Sequence, residues 1–138
     1  MNLSQLIADL SRDEGRVPHA YQDHLGFWTI GVGHLIDKRK GGGLPEKIID
    51  DLLLHDIAEK SAQLDTALPW WRDMSDARQR ALLNMAFQMG VEGLLKFKRT
   101  LAALQAGRWD GAKASAMDSL WAKQTQERAE RVTNLFLE

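Results

Sequence analysis

The sequence predicts an α+β fold: a small N-terminal β lobe and a larger all-helical C-terminal lobe, joined by a long helix. Three observations carry this. Residues 27–32 are dense in aromatic and β-branched side chains and studded with glycine, the pattern of short strands. Ile48, Ile49, Leu52, Leu53, Ile57 and Leu64 form an apolar stripe at helical spacing across residues 45–64. Residues 66–138 then read as a series of helices. No repeat, low-complexity tract or linker divides the 138 residues, so one domain, 1–138, is expected. Its β lobe is placed at about 13–44, the linking helix at about 45–64, and the helical lobe at about 66–138 together with helix 2–12. A groove between two lobes is a natural ligand site.

Taken in order, Leu3, Leu6, Ile7 and Leu10 mark one face of a first helix. Gly15 and Pro18 stop it near Glu14, which leaves that carboxylate at a helix end. The chain reads as β from residue 19 to His34, with a turn at Leu25-Gly26. Alternation puts Trp28, Ile30 and Val32 on a face expected to pack on a core, and Phe27, Thr29, Gly31 and Gly33 on the other. Glycine within a strand marks a bulge or corner, or close approach by a ligand or another backbone. Residues 37–43 form a charged, glycine-rich turn without the GxxxxGK[ST] pattern of a phosphate loop. Pro45 suits the first turn of the long helix. Ser75 suits the N-cap of a helix over 76–89 that is apolar nearly all round, expected to be buried at the centre and ended by Gly90 and Gly93. Helices follow at about 97–106, 109–118 and 126–136, with Gly107 between the first two. Thr125 opens the last, whose Arg128 and Arg131 share a face.

Composition excludes several classes. At 44% apolar and 27% charged residues the chain is ordinary for a soluble globular protein. No apolar run approaches the roughly 20 residues of a membrane span, so no membrane insertion is expected. The start lacks the basic and apolar regions of a secretory signal peptide. The absence of cysteine removes disulfides, a thiol nucleophile and thiolate metal sites. A net charge of −1 gives no argument for nucleic acid as a partner. The charge is uneven: residues 1–65 carry 7 basic and 11 acidic side chains, and residues 66–138 carry 11 and 8. Two oppositely charged faces account for this; a basic C-terminal half meeting an anionic polymer is the sharper alternative.

Glu14, Asp23 and Thr29 are the chemical candidates. Two carboxylates with a hydroxyl suit acid–base hydrolysis, one carboxyl protonated as general acid and the other ionised as base, nucleophile or stabiliser. In glycoside hydrolysis a separation of ~5 Å goes with retention and ~6.5–9.5 Å with inversion. Acids at a helix end and a turn are also what a solvated surface carries. A metal site from His19, Asp23 and His24 fits no known ligand spacing, so no metal is expected.

Three blocks carry a resemblance. The first is Glu14-Gly15, Tyr21-x-Asp23 and Gly26-x-x-Thr29-Ile30-Gly31-Val32-Gly33-His34. The second is Ala81-Leu82-Leu83-Asn84-Met85-Ala86-Phe87-Gln88-Met89-Gly90. The third is Arg108-Trp109-Asp110 with Trp121-x-x-Gln124-Thr125-x-x-Arg128-Ala129-x-Arg131-Val132. In this order they resemble the phage-type (T4-like) lysozymes, the glycoside hydrolase family 24 endolysins, over nearly the whole chain. The resemblance implies a lysozyme-like α+β fold and a muramidase, which cuts the β-1,4 bond between N-acetylmuramic acid and N-acetylglucosamine in peptidoglycan. It makes Glu14 the general acid, with Asp23 and Thr29 positioning water on the opposite face of the sugar; a covalent intermediate at Asp23 is the retaining alternative. It implies that Leu35, Phe87, Gln88, Thr100 and Ser115 contact substrate. It pairs His34 with Asp56 and Glu14 with Arg128 as supporting contacts, and Asp13 with Arg131 as a tie between lobes. Trp109 and Trp121 read as core aromatics.

The further implications are a bacteriolytic phage endolysin, monomeric and free of cofactors, with peptidoglycan strands as its partner. It would be made in the host cytoplasm and need a holin to reach the periplasmic wall. The stretch between His34 and Gly41 is shorter than the family pattern, so part of the β lobe and its outer subsites are expected to be missing. Two rivals stand beside this reading: a lysozyme-like domain that binds peptidoglycan or a protein with little hydrolysis, and a lysozyme domain of a larger phage tail or polar-localisation protein.

Overall fold

Asn2 accepts a hydrogen bond from the Gln5 amide at 3.0 Å and so caps the first helix, α1, Leu3–Glu14. Gly15, at φ 79°, ends it, its amide donating to the Ser11 carbonyl. This computed structural model describes Met1–Glu138 and bears out the α+β class. The chain divides into two units, Met1–Asp51 and Leu52–Glu138.

In the first unit β1, Val17–Gln22, β2, Trp28–Gly31, and β3, His34–Leu35, form an antiparallel sheet in the order β1-β2-β3. Tyr21 pairs with Thr29, and Ile30 with His34. The expected core face is reversed. Trp28 is 46% exposed and Val32 37%, whereas Thr29 is 4% exposed. The threonine tolerates burial because its hydroxyl donates to the Phe27 carbonyl at 3.0 Å, which removes the cost of an unpaired polar group.

The charged turn after β3 is tightly bonded to itself. Asp37 is buried and caps a short 3₁₀ turn, Lys38–Lys40, by accepting the Arg39 amide at 2.9 Å. The Arg39 guanidinium closes on the same carboxylate at 2.6 Å. Gly42 and Gly43 donate backward to the Asp37 and Leu35 carbonyls, and a Cβ on Gly42 would lie 2.7 Å from the Leu35 oxygen.

The hydrogen bonds from the Arg39 side chain, with lesser help from the Arg39 and Trp28 backbone amides, outweigh desolvation and hold the Asp37 carboxyl far below its ordinary value of 3.8. A carboxyl depressed on folding contributes stability that is complete above its unfolded pKa and is lost as pH falls through the folded one. The melting-temperature gap between wild type and Asp37→Asn is therefore expected to be constant from pH 8 to about 5 and to shrink below about 4. A gap that stayed flat down to pH 2 would show that this ion pair does not matter.

The long helix α2 is Glu46–Ala67, three residues longer at its C-terminus than the stripe suggests. In the second unit α3, Asp76–Leu95, starts at Ser75, whose hydroxyl accepts the Arg78 amide. Gly90 does not end it outright: at φ 75° it kinks the chain, and helix resumes to Leu95. Then come α4, Lys98–Gln105, α5, Trp109–Met117, α6, Leu120–Gln124, and α7, Gln126–Asn134, with a 3₁₀ turn over Leu135–Leu137. The short α6 was not expected; Ser119 nucleates it by accepting the Ala122 amide at 3.1 Å. Leu64, Trp71, Leu82, Met85, Leu94, Leu104 and Phe136 are buried in one core, with Ala81, Ala86, Ala112, Ala116 and Ala129 at the close approaches between helices. The expectation that the 76–89 helix is central holds.

Candidate active site

The first unit contains Glu14, Asp23 and Thr29. Glu14 is the last residue of α1, put there by the Gly15 cap. Its carboxylate lies on the turn between β2 and β3. A Cβ built on Gly33 would be 2.9 Å from Oε2 and 3.1 Å from Cδ. Gly33 has φ 67°, so the position needs glycine both for its backbone and for the space the carboxylate fills. The approach expected at strand glycines differs here: Gly33 lies in the turn after β2, and what comes close is the Glu14 side chain rather than a ligand or another backbone.

Asp23 sits in the loop between β1 and β2. Its Oδ1 accepts the Leu25 and Phe27 amides, both at 2.9 Å. The Asp23 amide donates to the Phe27 carbonyl and Gly26, at φ 84°, donates back to the Asp23 carbonyl. This local closure fixes the carboxylate plane and leaves Oδ2 without a protein donor. Thr29 spends its proton on the Phe27 carbonyl, so its oxygen can still accept. Phe27 therefore links the two residues, its amide held by Asp23 and its carbonyl by Thr29. Leu35 lies in β3, partly exposed. His34 donates from Nε2 to the Gly43 carbonyl at 2.6 Å, which fixes its tautomer and ties β3 to the end of the charged turn. Asp13 pairs with Arg12 at 2.9 Å on the surface of α1.

The second unit gathers others. A cavity of ≈ 700 Å³ brings Gln88, Thr100 and Ser115 together with Trp121 and Phe97. Thr100 is buried and donates to the Ser115 oxygen at 3.2 Å. Trp121 is 9% exposed, yet it is more than core: its indole N–H donates to Gln88 Oε1 at 2.9 Å and turns the amide –NH₂ toward open space. Phe97 packs on it edge to face at 5.9 Å. Lys96, Lys98 and Arg99 also line this cavity, against one acid, Asp118. Trp121→Phe is expected to destabilise the fold by about 2–3 kcal/mol, the lost hydrogen bond together with the packing of the missing part of the ring. A denaturant titration showing no change would mean that Gln88 is not held by the indole.

Phe87 is 39% exposed and lines a separate hollow of ≈ 380 Å³ with Leu53, Ile57, Leu83 and Arg128. Arg128 donates from Nε to Asn84 Oδ1 at 3.0 Å and from Nη2 to the Asn84 carbonyl at 3.3 Å. Asp56 lies on α2 with His55 and Glu59, their ligand atoms within 4.8 Å of one another. Sequence reasoning missed Trp121 as the anchor of Gln88 and missed buried Asp37. The first had a signal, a tryptophan 33 residues from a glutamine in two family-like blocks; the second had only an acid before a basic run.

A family model for phage lysozyme matches residues 11–135. The chain is 38% identical to the pre-baseplate central spike protein Gp5 of Enterobacteria phage T4 over 93% of its own length, and spans 27% of that protein. It is 29% identical to the probable T4-type lysozyme 2 of Dictyostelium discoideum, covering 97% of this chain and 94% of that one. It is also 29% identical to an endolysin of Acyrthosiphon pisum secondary endosymbiont phage 1, over 83% of this chain and 75% of that one. With that family model matched over nearly its whole length, the chain belongs to the phage lysozyme family.

Proposed function

We propose that the protein is a muramidase that hydrolyses the β-1,4 bond between N-acetylmuramic acid and N-acetylglucosamine. The observation that carries this is the disposition of acceptors around Asp23. With Oδ1 clamped by two amides, Oδ2 and the Thr29 oxygen remain as free acceptors on one short hairpin. A water donating to both is held with its lone pair outward. In the proposed step that water attacks the anomeric carbon and gives its proton to Asp23. Glu14 protonates the departing glycosidic oxygen as the bond breaks. The product has inverted configuration. In the second unit, the cavity with Gln88, Thr100 and Ser115 offers polar groups to a glycan, and in the first His34 holds β3 beside the strand of Thr29.

Family membership supports a glycosidase, and the similarity to an endolysin supports peptidoglycan as its substrate. No helix is long and apolar enough to cross a membrane. In the endolysin reading a monomer accumulates in the host cytoplasm and waits for a holin. A second reading has its own support: 38% identity to the phage T4 spike protein, over 27% of that protein, fits a lysozyme domain carried by a larger virion component. The mass of the native polypeptide in infected cells separates the two.

The test is clearing of outer-membrane-stripped Gram-negative cells, with mass spectrometry of the released fragments. New reducing ends on muramic acid are expected. Tight retention on sacculi by folded protein without new reducing ends would replace hydrolysis with binding alone.

A further inference from the structure

Away from the residues assigned to hydrolysis, the second unit has a groove of ≈ 450 Å³ lined by Trp70, Asp73, Arg78, Gln105, Gly107 and Trp109, among others. We propose that this groove is a second glycan-binding site, which takes an N-acetylhexosamine unit of a polysaccharide against the Trp70 indole and holds its polar groups through Asp73, Arg78 and Gln105. Its ligand class rests on the muramidase reading; its chemistry rests on the groove.

Four kinds of unspent bonding capacity meet there. Arg78 uses Nε on the Phe136 carbonyl at 2.8 Å, and its guanidinium stacks on the Trp109 ring at 3.6 Å. Its two Nη amines make no protein hydrogen bond, and the stacking holds their plane fixed. The side chains of Asp73 and Gln105 are exposed and take no protein partner. The Trp70 indole N–H is likewise unused, in a side chain only half-buried against the core. Gly107, at φ 72°, adds no side chain beside Trp109, whose ring edge would lie 3.7 Å from a Cβ there.

This set matches a sugar better than its competitors. An indole face suits the C–H face of a pyranose, and a carboxylate, guanidinium and carboxamide side by side suit vicinal hydroxyls and an acetamido group. Asp73 and Arg78 cancel in charge, which argues against an anion such as a nucleotide. Because Asp73 and Arg78 balance in this groove, retention there comes from short-range contacts rather than from charge. A second weak contact with one strand raises the effective concentration of the first.

The test uses the Glu14→Gln protein, which should leave its ligand intact, and a linear N-acetylglucosamine tetramer as probe. Titration followed by NMR of the tryptophan indole N–H groups is expected to shift the Trp70 resonance. Asp73→Asn with Gln105→Ala, both at exposed positions, is expected to abolish that shift and weaken co-sedimentation with sacculi about ten-fold, two hydrogen bonds' worth. Trp70→Ala is the second variant, accepted only if its circular dichroism matches the parent. A Trp70 resonance unmoved while signals elsewhere respond overturns the proposal, as does undiminished sedimentation of both variants. If the wild-type protein hydrolyses nothing yet Trp70 answers the tetramer, the muramidase reading fails and this site stands.

Discussion

Glu14→Gln is expected to lower turnover on peptidoglycan by about 10²–10⁴-fold, the range that a positioned general acid supplies. The glutamine keeps the size of the carboxylate, so the contact with Gly33 survives and the fold should be unaffected. What disappears is the proton for the departing oxygen. Binding to sacculi should hold while fragment release collapses. Turnover within a few-fold of wild type would remove Glu14 from the mechanism and leave the proposed proton transfer without a donor.

Gly33→Ala is expected to lower turnover by about 10²-fold, although it deletes no functional group. The added methyl would stand 2.9 Å from Oε2 of Glu14, closer than real contacts of this kind come. The carboxylate is the far end of a flexible side chain and will swing away, and a displacement of ~1 Å in a reacting group can cost ~10² in rate. The left-handed backbone at φ 67° adds a penalty of ~1–2 kcal/mol to stability for any residue with a Cβ. The two effects separate. A stability loss measured by urea titration without a fall in turnover would place Glu14's working position elsewhere than on this turn.

The legible parts of this protein were those set by local spacing. The stripe from Ile48 to Leu64 gave a long helix, Ser75 gave the cap of α3, and the glycines after Thr29 marked a tight place at the candidate site. The misread parts were set by partners distant in sequence or by polar satisfaction. Alternation assigns Trp28 to a core because it weighs only apolarity; the hydrogen bond from Thr29 to the Phe27 carbonyl is invisible to it. Gly90 looks like a stop because positive φ usually ends a helix, yet Val91 and Leu94 have core to bury and carry the helix on. Ser119 opens α6 only five residues before Gln124, too short a run for periodicity to register. The reading of Trp121 as core was half right: the ring is buried, while its N–H serves Gln88.

The turn from Leu35 to Gly43 has a further consequence. Lys38, Arg39 and Lys40 beside three glycines look like an open target for trypsin. A protease needs several residues on either side of the cut to be extended in its cleft, and here they are tied. Asp37 holds Arg39, Gly42 and Gly43 donate backward, and His34 grips the Gly43 carbonyl. Cleavage therefore waits on local opening of the whole loop, and opening pulls away β3, which pairs with the strand carrying Thr29. The first tryptic nick at this loop should therefore time the loss of the hairpin that carries Thr29.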